Sequence, residues 1–309
     1  MRLMPTLQQL RYLVAVADTL HFRRAAERTH VTQPTLSGQL KQLETKLGTQ
    51  LVERSRSRVV LTPTGAGVAA RARAILRDVA DIEEIAKQGR HPLDGTIRVG
   101  VVQSLGSYLL PLVIPDLHAS QPDLKLYVRE GPANDLLTRI DEGSLDLLFF
   151  PLPAPGSELE TARLFREPLL AVTATDHPLT DKPRISRDDL KGETILTLEP
   201  GHRLHAQVRQ ICTDTGAQLS LDYEATSLDT IRQMVAMGLG ISLLPALYVR
   251  SEVTQNTLVT SRPLTGPVPF RSIGMVWRKT AARGEAFVEL ARILRRILRA
   301  NAPDVTVIE

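Results

Sequence analysis

Hydrophobic periodicity changes character across GRHPLDG, residues 89–95. Before it, apolar residues recur at helical spacing; after it, short apolar runs alternate with helical stretches. That change divides the 309 residues into a helical N-terminal part and an α/β remainder, enough chain for two or three domains with cores of their own. Charge divides at the same place. Residues 1–90 hold 15 Lys/Arg against 8 Asp/Glu, whereas residues 91–309 hold 23 against 26. A basic leading segment on a slightly acidic remainder directs only the first part toward a polyanion, with nucleic acid foremost. Apolar residues at 43% and charged residues at 23% describe ordinary globular material. No run approaches the ~18 apolar residues of a membrane span, and MRLMPTLQQLRYL lacks the apolar core of a signal peptide, so a soluble, cytoplasmic chain without a membrane partner is expected.

Residues 6–62 read as a small winged helical domain. Thr6 is a good N-cap ahead of Leu10, Leu13, Val14 and Ala17 at helical spacing. FRRAAERT makes a second short helix, where Ala25 and Ala26 allow another helix to approach closely. In VTQPTLSGQLKQLETKLG, Thr32 caps a third helix, Pro34 sits in its first turn, Leu36, Leu40, Leu43 and Leu47 form one apolar stripe, and Gly48 ends it. The tight His30–Thr32 connection makes the second and third helices a helix-turn-helix. Opposite the stripe lie Gln33, Thr35, Ser37, Gln39, Gln42 and Lys41, with Gly38 permitting close approach. Amides and hydroxyls read base edges in the major groove of double-stranded DNA, while Arg23 and Lys41 suit phosphates. LVERSRSRVVLT adds two short strands about a turn with Arg54, Arg56 and Arg58, the makings of a basic wing.

Residues 64–89 form one long helix of about 39 Å. Val68, Ala72, Ile75, Val79, Ile82 and Ala86 follow the alternating four-and-three spacing of an a/d seam, while Arg71, Arg73, Arg77, Asp81 and Glu84 crowd the other faces. The seam is expected to pair two copies, and GRHPLDG to break the chain as a hinge.

From residue 95, TIRVGVV, LKLYVRE and LDLLFF read as strands, with SYLLPLVIPDLHAS and NDLLTRIDEGS as helices between them. After PLPAPGS a second series follows: LLAVTAT, the helix containing Cys212, LSLDYEA, SLDTIRQMVAMG and ISLLP. SIGMVW and EAFVELARILRRILRA return to the first lobe. A mainly parallel α/β sheet in two lobes, joined by crossing strands around a cleft, is expected. The expected domains are a winged helix-turn-helix over 1–63, a linker helix over 64–89, a hinge over 90–95 and a regulatory domain over 96–309. Its lobe I takes 96–165 and 267–300, and its lobe II 166–266.

LRYLVAVADTLHFRRAAERTHVTQPTLSGQLKQLE, the linker helix and the two-lobed remainder together resemble a LysR-type transcriptional regulator over essentially the full chain. HFRRAA, TQPTLSGQ, YLLP, LEPGH, ATSLDT and GISLLPAL further resemble the OxyR branch of that family, whose members sense hydrogen peroxide. The resemblance implies winged helix-turn-helix DNA binding, coiled-coil pairing to a homodimer and usually a homotetramer, and a periplasmic-binding-protein-like α/β effector domain. RNA polymerase is a further candidate partner. Aligned on LEPGH, Arg203 stands where that branch carries its peroxide-reacting cysteine, and Cys212 matches the resolving one. Ser104 keeps a hydroxyl and His202 matches the neighbouring histidine, whereas Ala133 and Ala206 replace polar residues of the peroxide site. A guanidinium does not attack a peroxide bond as a thiolate does, so the thiol chemistry is lost while the scaffold remains.

Cys212 is the only cysteine, and one cysteine cannot close a disulfide within one chain. Leu204, Val208, Ile211 and Cys212 share a helical stripe, which makes the thiol a small buried hydrophobe; the alternative is a thiol activated by Arg209 one turn earlier. Arg203, beside Ser104 and near Ser227 and Thr230 at a helix start, suits an anionic effector; the alternative is a structural ion pair. His202 and His205 are three apart without thiol or carboxylate ligands beside them, so no metal and no cofactor is expected. Three functions stand: a regulator answering a small ligand, an oxidative-stress regulator working by another mechanism, or a two-lobed binding protein or enzyme without a DNA role. No nucleophile–base pair or Gly-rich phosphate loop favours catalysis.

Overall fold

The computed structural model describes residues 4–54, 59–87, 92–223 and 225–308, with the side chains of Arg54, Asp81 and 83–87 outside that description. The chain divides into two compact units, residues 1–89 with 141–144, and residues 90–140 with 145–309.

The first unit begins with α1 (Leu7–Thr19), α2 (Phe22–Arg28) and α3 (Gln33–Leu47). Thr6 accepts from the Gln9 amide while the Gln9 side chain accepts from Thr6, a reciprocal cap that sets the start of α1. Gln9 is itself buried. Its oxygen also takes the Lys46 ammonium at 3.0 Å, and its amide nitrogen donates to Gln39 at 3.1 Å, so one polar side chain ties α1 to α3. Thr32 caps α3 and Gly48 ends it in the left-handed conformation. Leu36, Leu40 and Leu43 pack on Leu13, Val16, Ala25 and Ala26, but Leu47 is exposed because the stripe runs past the end of this small core.

Glu44 accepts from the Leu51 and Val52 amides at 2.9 and 3.1 Å and so fixes the entry to β1 (Val52–Arg54), which pairs antiparallel with β2 (Val59–Leu61). Arg56 and Arg58 lie outside the described residues. α4 (Pro63–Lys87) starts at Thr62, whose hydroxyl accepts from Gly65. The expected seam along α4 divides into two parts. Ala72 is buried and Val68 half-buried within this chain, where α1 and α4 pack together and Arg73 pairs with Asp18 at 2.7 Å. Ile75 and Ile82 are exposed and Val79 half-buried, while the Ala86 side chain lies outside the described residues.

In the second unit β3 (Gly95–Val102), α5 (Gly106–Ser120), β4 (Leu124–Gly131), α6 (Ala133–Asp141) and β5 (Leu147–Leu152) build lobe I. β6 (Leu159–Ala174) then runs out of it into lobe II. There follow β7 (Thr194–Leu196), α7 (Arg203–Thr215), β8 (Gln218–Leu219), α8 (Leu228–Ala236), β9 (Ile241–Pro245), α9 (Ala246–Tyr248) and β10 (Val259–Arg262). β11 (Phe270–Arg278), α10 (Gly284–Asn301) and β12 (Thr306–Val307) return to lobe I. Each lobe has its own apolar core, one around Phe149, Phe150 and Phe287, the other around Val208, Ile231 and Leu244.

One sheet in the order β4-β3-β5-β11-β6-β9-β7-β8 runs through both lobes, with β10 and β12 also pairing β6. The sheet is mixed rather than mainly parallel. β3 pairs parallel with β4 and β5, and β7 with β8 and β9, but every pairing of β6 and β11 is antiparallel. The crossing strands come without the helical connection that a parallel partner needs.

Two other expectations change. Of LSLDYEA, residues 219–225, Leu219 closes the two-residue strand Gln218–Leu219 beside β7 and Ala225 bridges Leu198, and no longer strand runs through the described residues between them; Glu224 lies outside the described residues. Of the expected hinge 90–95, residues 90–91 lie outside the described set and Pro92–Gly95 belong to lobe I. Leu93 is fully buried, and Arg283 donates to the Pro92 and Asp94 carbonyls.

Gly65 is where α4 crosses the chain entering the wing. A Cβ there would stand 1.9 Å from the Leu51 carbonyl oxygen, against backbone that has no rotamer to change. Gly65→Ala should therefore destabilise this unit by about 1–3 kcal/mol. Gly67→Ala, two residues on and facing open space, should stabilise it by about 0.5–1 kcal/mol through helix propensity. Urea unfolding of the two variants checks the opposite signs.

Candidate nucleic-acid interface and ligand cleft

The core beneath α3 decides which of its polar side chains face outward. Gln33, Thr35, Lys41 and Gln42 are exposed, and nothing lies within 4 Å of a Cβ built on Gly38, so this face is open to a partner. Ser37 and Gln39 flank the buried stripe and are half-buried; the Gln39 carbonyl is engaged by Gln9, a structural task that a polar-face reading misses. The Thr35 hydroxyl lies 2.8 Å from that of its cap Thr32, and Arg23, on α2, pairs with Glu27 at 3.1 Å. The Arg54 side chain and all of Arg56 lie outside the described residues.

Between the lobes lies a cleft of about 310 Å³. Lobe I supplies the loop after β3 with Ser104, the start of α6 at Ala133, and Leu152; lobe II supplies His202 and Arg203; β11 supplies Phe270 and Arg271. Arg203 is the first residue of α7, and its N-cap, His202, makes no side-chain cap, so the unpaired amides of that first turn and the guanidinium stand together at the cleft. The guanidinium lies 5.8 Å from the centre of the buried Phe150 ring. Among the described residues it has no carboxylate partner. Burial lowers the pKa of His202, outweighing Glu199 at 3.8 Å, so the ring is neutral at pH 7. His205 turns away, with Nδ1 at 2.7 Å from the Leu198 carbonyl.

A second compartment of about 210 Å³ adjoins the first and shares Gln103, Ser104 and His202 with it. Here are Ser227, Tyr108, Glu130 and Asp229. Ser227 and Arg203 therefore line different compartments. Thr230 lines neither: Ser227 accepts from its amide at 3.2 Å and the two hydroxyls are 3.0 Å apart, so the start of α8 is satisfied by its own cap. Ala206 is exposed on α7.

Arg271 and Glu167 are the functional neighbours that the sequence reading misses. They are cross-strand partners on β11 and β6, with Nε 2.6 Å from Oε2, and both are buried. Arg271 also donates at 2.9 Å to the Ser104 hydroxyl and at 2.9 Å to its carbonyl, while the other Glu167 oxygen accepts from the Leu247 amide at 2.8 Å. The available signal was charged residues inside two largely apolar strand runs, Arg166 and Glu167 in LFREPLLAV and Arg271 in PFRSIGMVW.

Cys212 sits in the lobe II core with Leu204 and Val208 on the buried stripe of α7. Burial pushes its thiol pKa up, which reduces the thiolate that peroxide or an alkylating agent needs.

Removing one member of the buried pair strands the other charge. Arg271→Met or Glu167→Gln should each cost about 3–5 kcal/mol in chemical unfolding, and Glu167→Leu with Arg271→Met much less than their sum. The Cys212 thiol of the folded protein should resist iodoacetamide and gain no oxygen from hydrogen peroxide by mass spectrometry, and both should react once the chain is unfolded in urea.

Residues 7–66 match the bacterial regulatory helix-turn-helix of the lysR family, and residues 90–299 match the LysR substrate binding domain. The chain is 39% identical over 289 residues to the DNA-binding transcriptional dual regulator OxyR of Escherichia coli (strain K12), covering 94% of each protein. A structure of a full-length OxyR variant from Pseudomonas aeruginosa superposes with a TM-score of 0.78 at 39% identity, covering 94% of this chain and 98% of that one. A hydrogen peroxide-bound OxyR variant from Corynebacterium glutamicum gives a TM-score of 0.67 at 31% identity, covering 97% and 95%. The winged helix-turn-helix, the long helix and the two-lobed α/β domain are those of one family, and the chain belongs to it: it is a LysR-type, OxyR-like DNA-binding transcriptional regulator.

Proposed function

We propose that this regulator answers a small anionic ligand held between its lobes at Arg203, in place of a thiol–disulfide switch. The observation that carries this reading is the half-buried Arg203 guanidinium, at the uncapped start of α7 and without a carboxylate partner among the described residues. A cation and a row of unpaired amides aimed at one cleft make an anion site. The remaining residues take supporting roles: Ser104 offers its hydroxyl, the neutral His202 forms the wall, and Ala133 at the start of α6 leaves room.

On this reading the protein works in the cytoplasm as a homodimer or homotetramer on double-stranded DNA. Gln33 and Thr35 face bases, Lys41 faces phosphate, and the apolar side chains Ile75, Val79 and Ile82 join two copies of α4. Ligand binding shifts the population between two lobe arrangements and so changes the footprint. A second reading, a response to peroxide by non-covalent binding in the same cleft, is favoured by relatives that bear the name hydrogen peroxide-inducible genes activator.

Footprinting on DNA upstream of the protein's own coding region, with and without peroxide and a set of small carboxylates, tests both. Arg203→Ala should fold normally and lose the carboxylate-dependent change in footprint; an unchanged response would leave Arg203 only a structural role. If about six phosphates are neutralised per dimer, log K should fall with log salt at a slope of about −5. Gln33→Ala should relax base preference, whereas Lys41→Ala should weaken all sites alike.

A further inference from the structure

The two compartments of the cleft carry opposite charge. In the first, the Arg271 charge is cancelled by Glu167 at 2.6 Å, which leaves Arg203 and the unpaired amides of α7 to set a positive field. The second is lined by Glu130 and Asp229. Glu130 has no hydrogen-bonded partner among the described residues. Asp229 accepts from the Tyr248 hydroxyl at 3.2 Å, and the Arg232 guanidinium is 4.0 Å away. Two carboxylates against one arginine at the edge leave this compartment negative. Burial, together with Asp229, Glu252 and Glu130, raises the pKa of Tyr108, so the phenol beside them stays neutral and adds no charge of its own.

Ser104 stands on the wall between the two. It is only 8% exposed, and Arg271 donates to its hydroxyl oxygen, so its own proton points elsewhere. Among the described residues no acceptor takes that proton. A buried donor left over at the junction is a group that a bound molecule satisfies.

We infer that the effector is a zwitterion, an aminocarboxylate whose carboxylate meets Arg203 and the start of α7 while its ammonium enters the compartment of Glu130 and Asp229. This rests on the cleft being the effector site. A dicarboxylate of the same length would push one charge against Glu130 and Asp229, and a plain amine would have nothing for Arg203. Compartments of about 310 and 210 Å³ admit one small molecule rather than an oligopeptide. Leu152 and Phe270 offer apolar surface to its carbon skeleton.

Titration calorimetry on the full-length protein tests this with the twenty standard L-amino acids, 4-aminobutyrate and 5-aminovalerate. Each binder is measured again beside its desamino carboxylate and its decarboxylated amine. At least one aminocarboxylate should bind, and deleting either charged group should weaken it about ten- to hundredfold. Glu130→Gln with Asp229→Asn should weaken the aminocarboxylate by a similar factor and leave the desamino carboxylate unchanged or tighter; Arg203→Ala should weaken both. Because Glu130 is exposed and Asp229→Asn keeps an oxygen to accept from the Tyr248 hydroxyl, these variants should retain the wild-type melting temperature, which is measured alongside. If desamino carboxylates bind as tightly as their amino forms, or bind when no aminocarboxylate does, the zwitterion inference is overturned and the anion site at Arg203 survives. If neither class binds and Arg203→Ala keeps the wild-type footprint response, both fall.

Discussion

The buried pair between Glu167 and Arg271 is the interaction on which the regulatory domain depends. The pair, 2.6 Å apart across the two crossing strands, is linked by three hydrogen bonds of 2.8–2.9 Å to two places distant in sequence: the loop after β3 through Ser104 and the start of α9 through Leu247. Two charges taken out of water need every lone pair and proton satisfied, or the desolvation cost exceeds their attraction. Here the three donating nitrogens of Arg271 and both oxygens of Glu167 have partners, so the pair fixes one geometry more than it adds net stability. It also engages the Arg271 guanidinium, whereas Arg203, on the same cleft, has no carboxylate partner among the described residues.

The relation to peroxide-sensing relatives follows from the same geometry. The two-lobed fold is shared with them, but the position where the resemblance implies a reactive thiol holds a guanidinium, and the Cys212 thiol is packed in the core of lobe II. A reactive cysteine needs solvent and a nearby positive charge to stabilise thiolate. Cys212 has little solvent, and the cation at Arg203 faces the cleft. The fold is shared with them, while the side chain at that one position is a cation and not a thiol.

In the N-terminal unit, a few short-range contacts orient the polar face of α3. Gln9 reaches Thr6, Lys46 and Gln39, Glu44 holds the entry to the wing, and Gly65 lets α4 cross at van der Waals distance. The same packing claims part of the long helix. Ala72 is buried within its own chain, so the heptad pattern along α4 serves two tasks, an internal contact near its start and an open apolar face at Ile75 and Ile82.

Much of this was legible in local sequence. Thr6, Thr32 and Gly48 mark helix ends through hydrogen bonds and backbone conformations that involve only neighbouring residues, and the Leu36–Leu40–Leu43 stripe states which face is buried. The position of Cys212 on an apolar stripe, and of Arg203 at a helix start after LEPGH, likewise needed nothing beyond helical spacing. Tertiary structure alone decided what depends on residues far apart in the chain. Glu167 and Arg271 meet only because β6 and β11 are adjacent and antiparallel. Ser227 and Arg203 line different compartments of the cleft, which share Ser104 and His202. Leu47 and Gln39 depart from the helical pattern because a core of finite size buries only the length of helix it can cover, and periodicity specifies a face without specifying how far a neighbour extends along it.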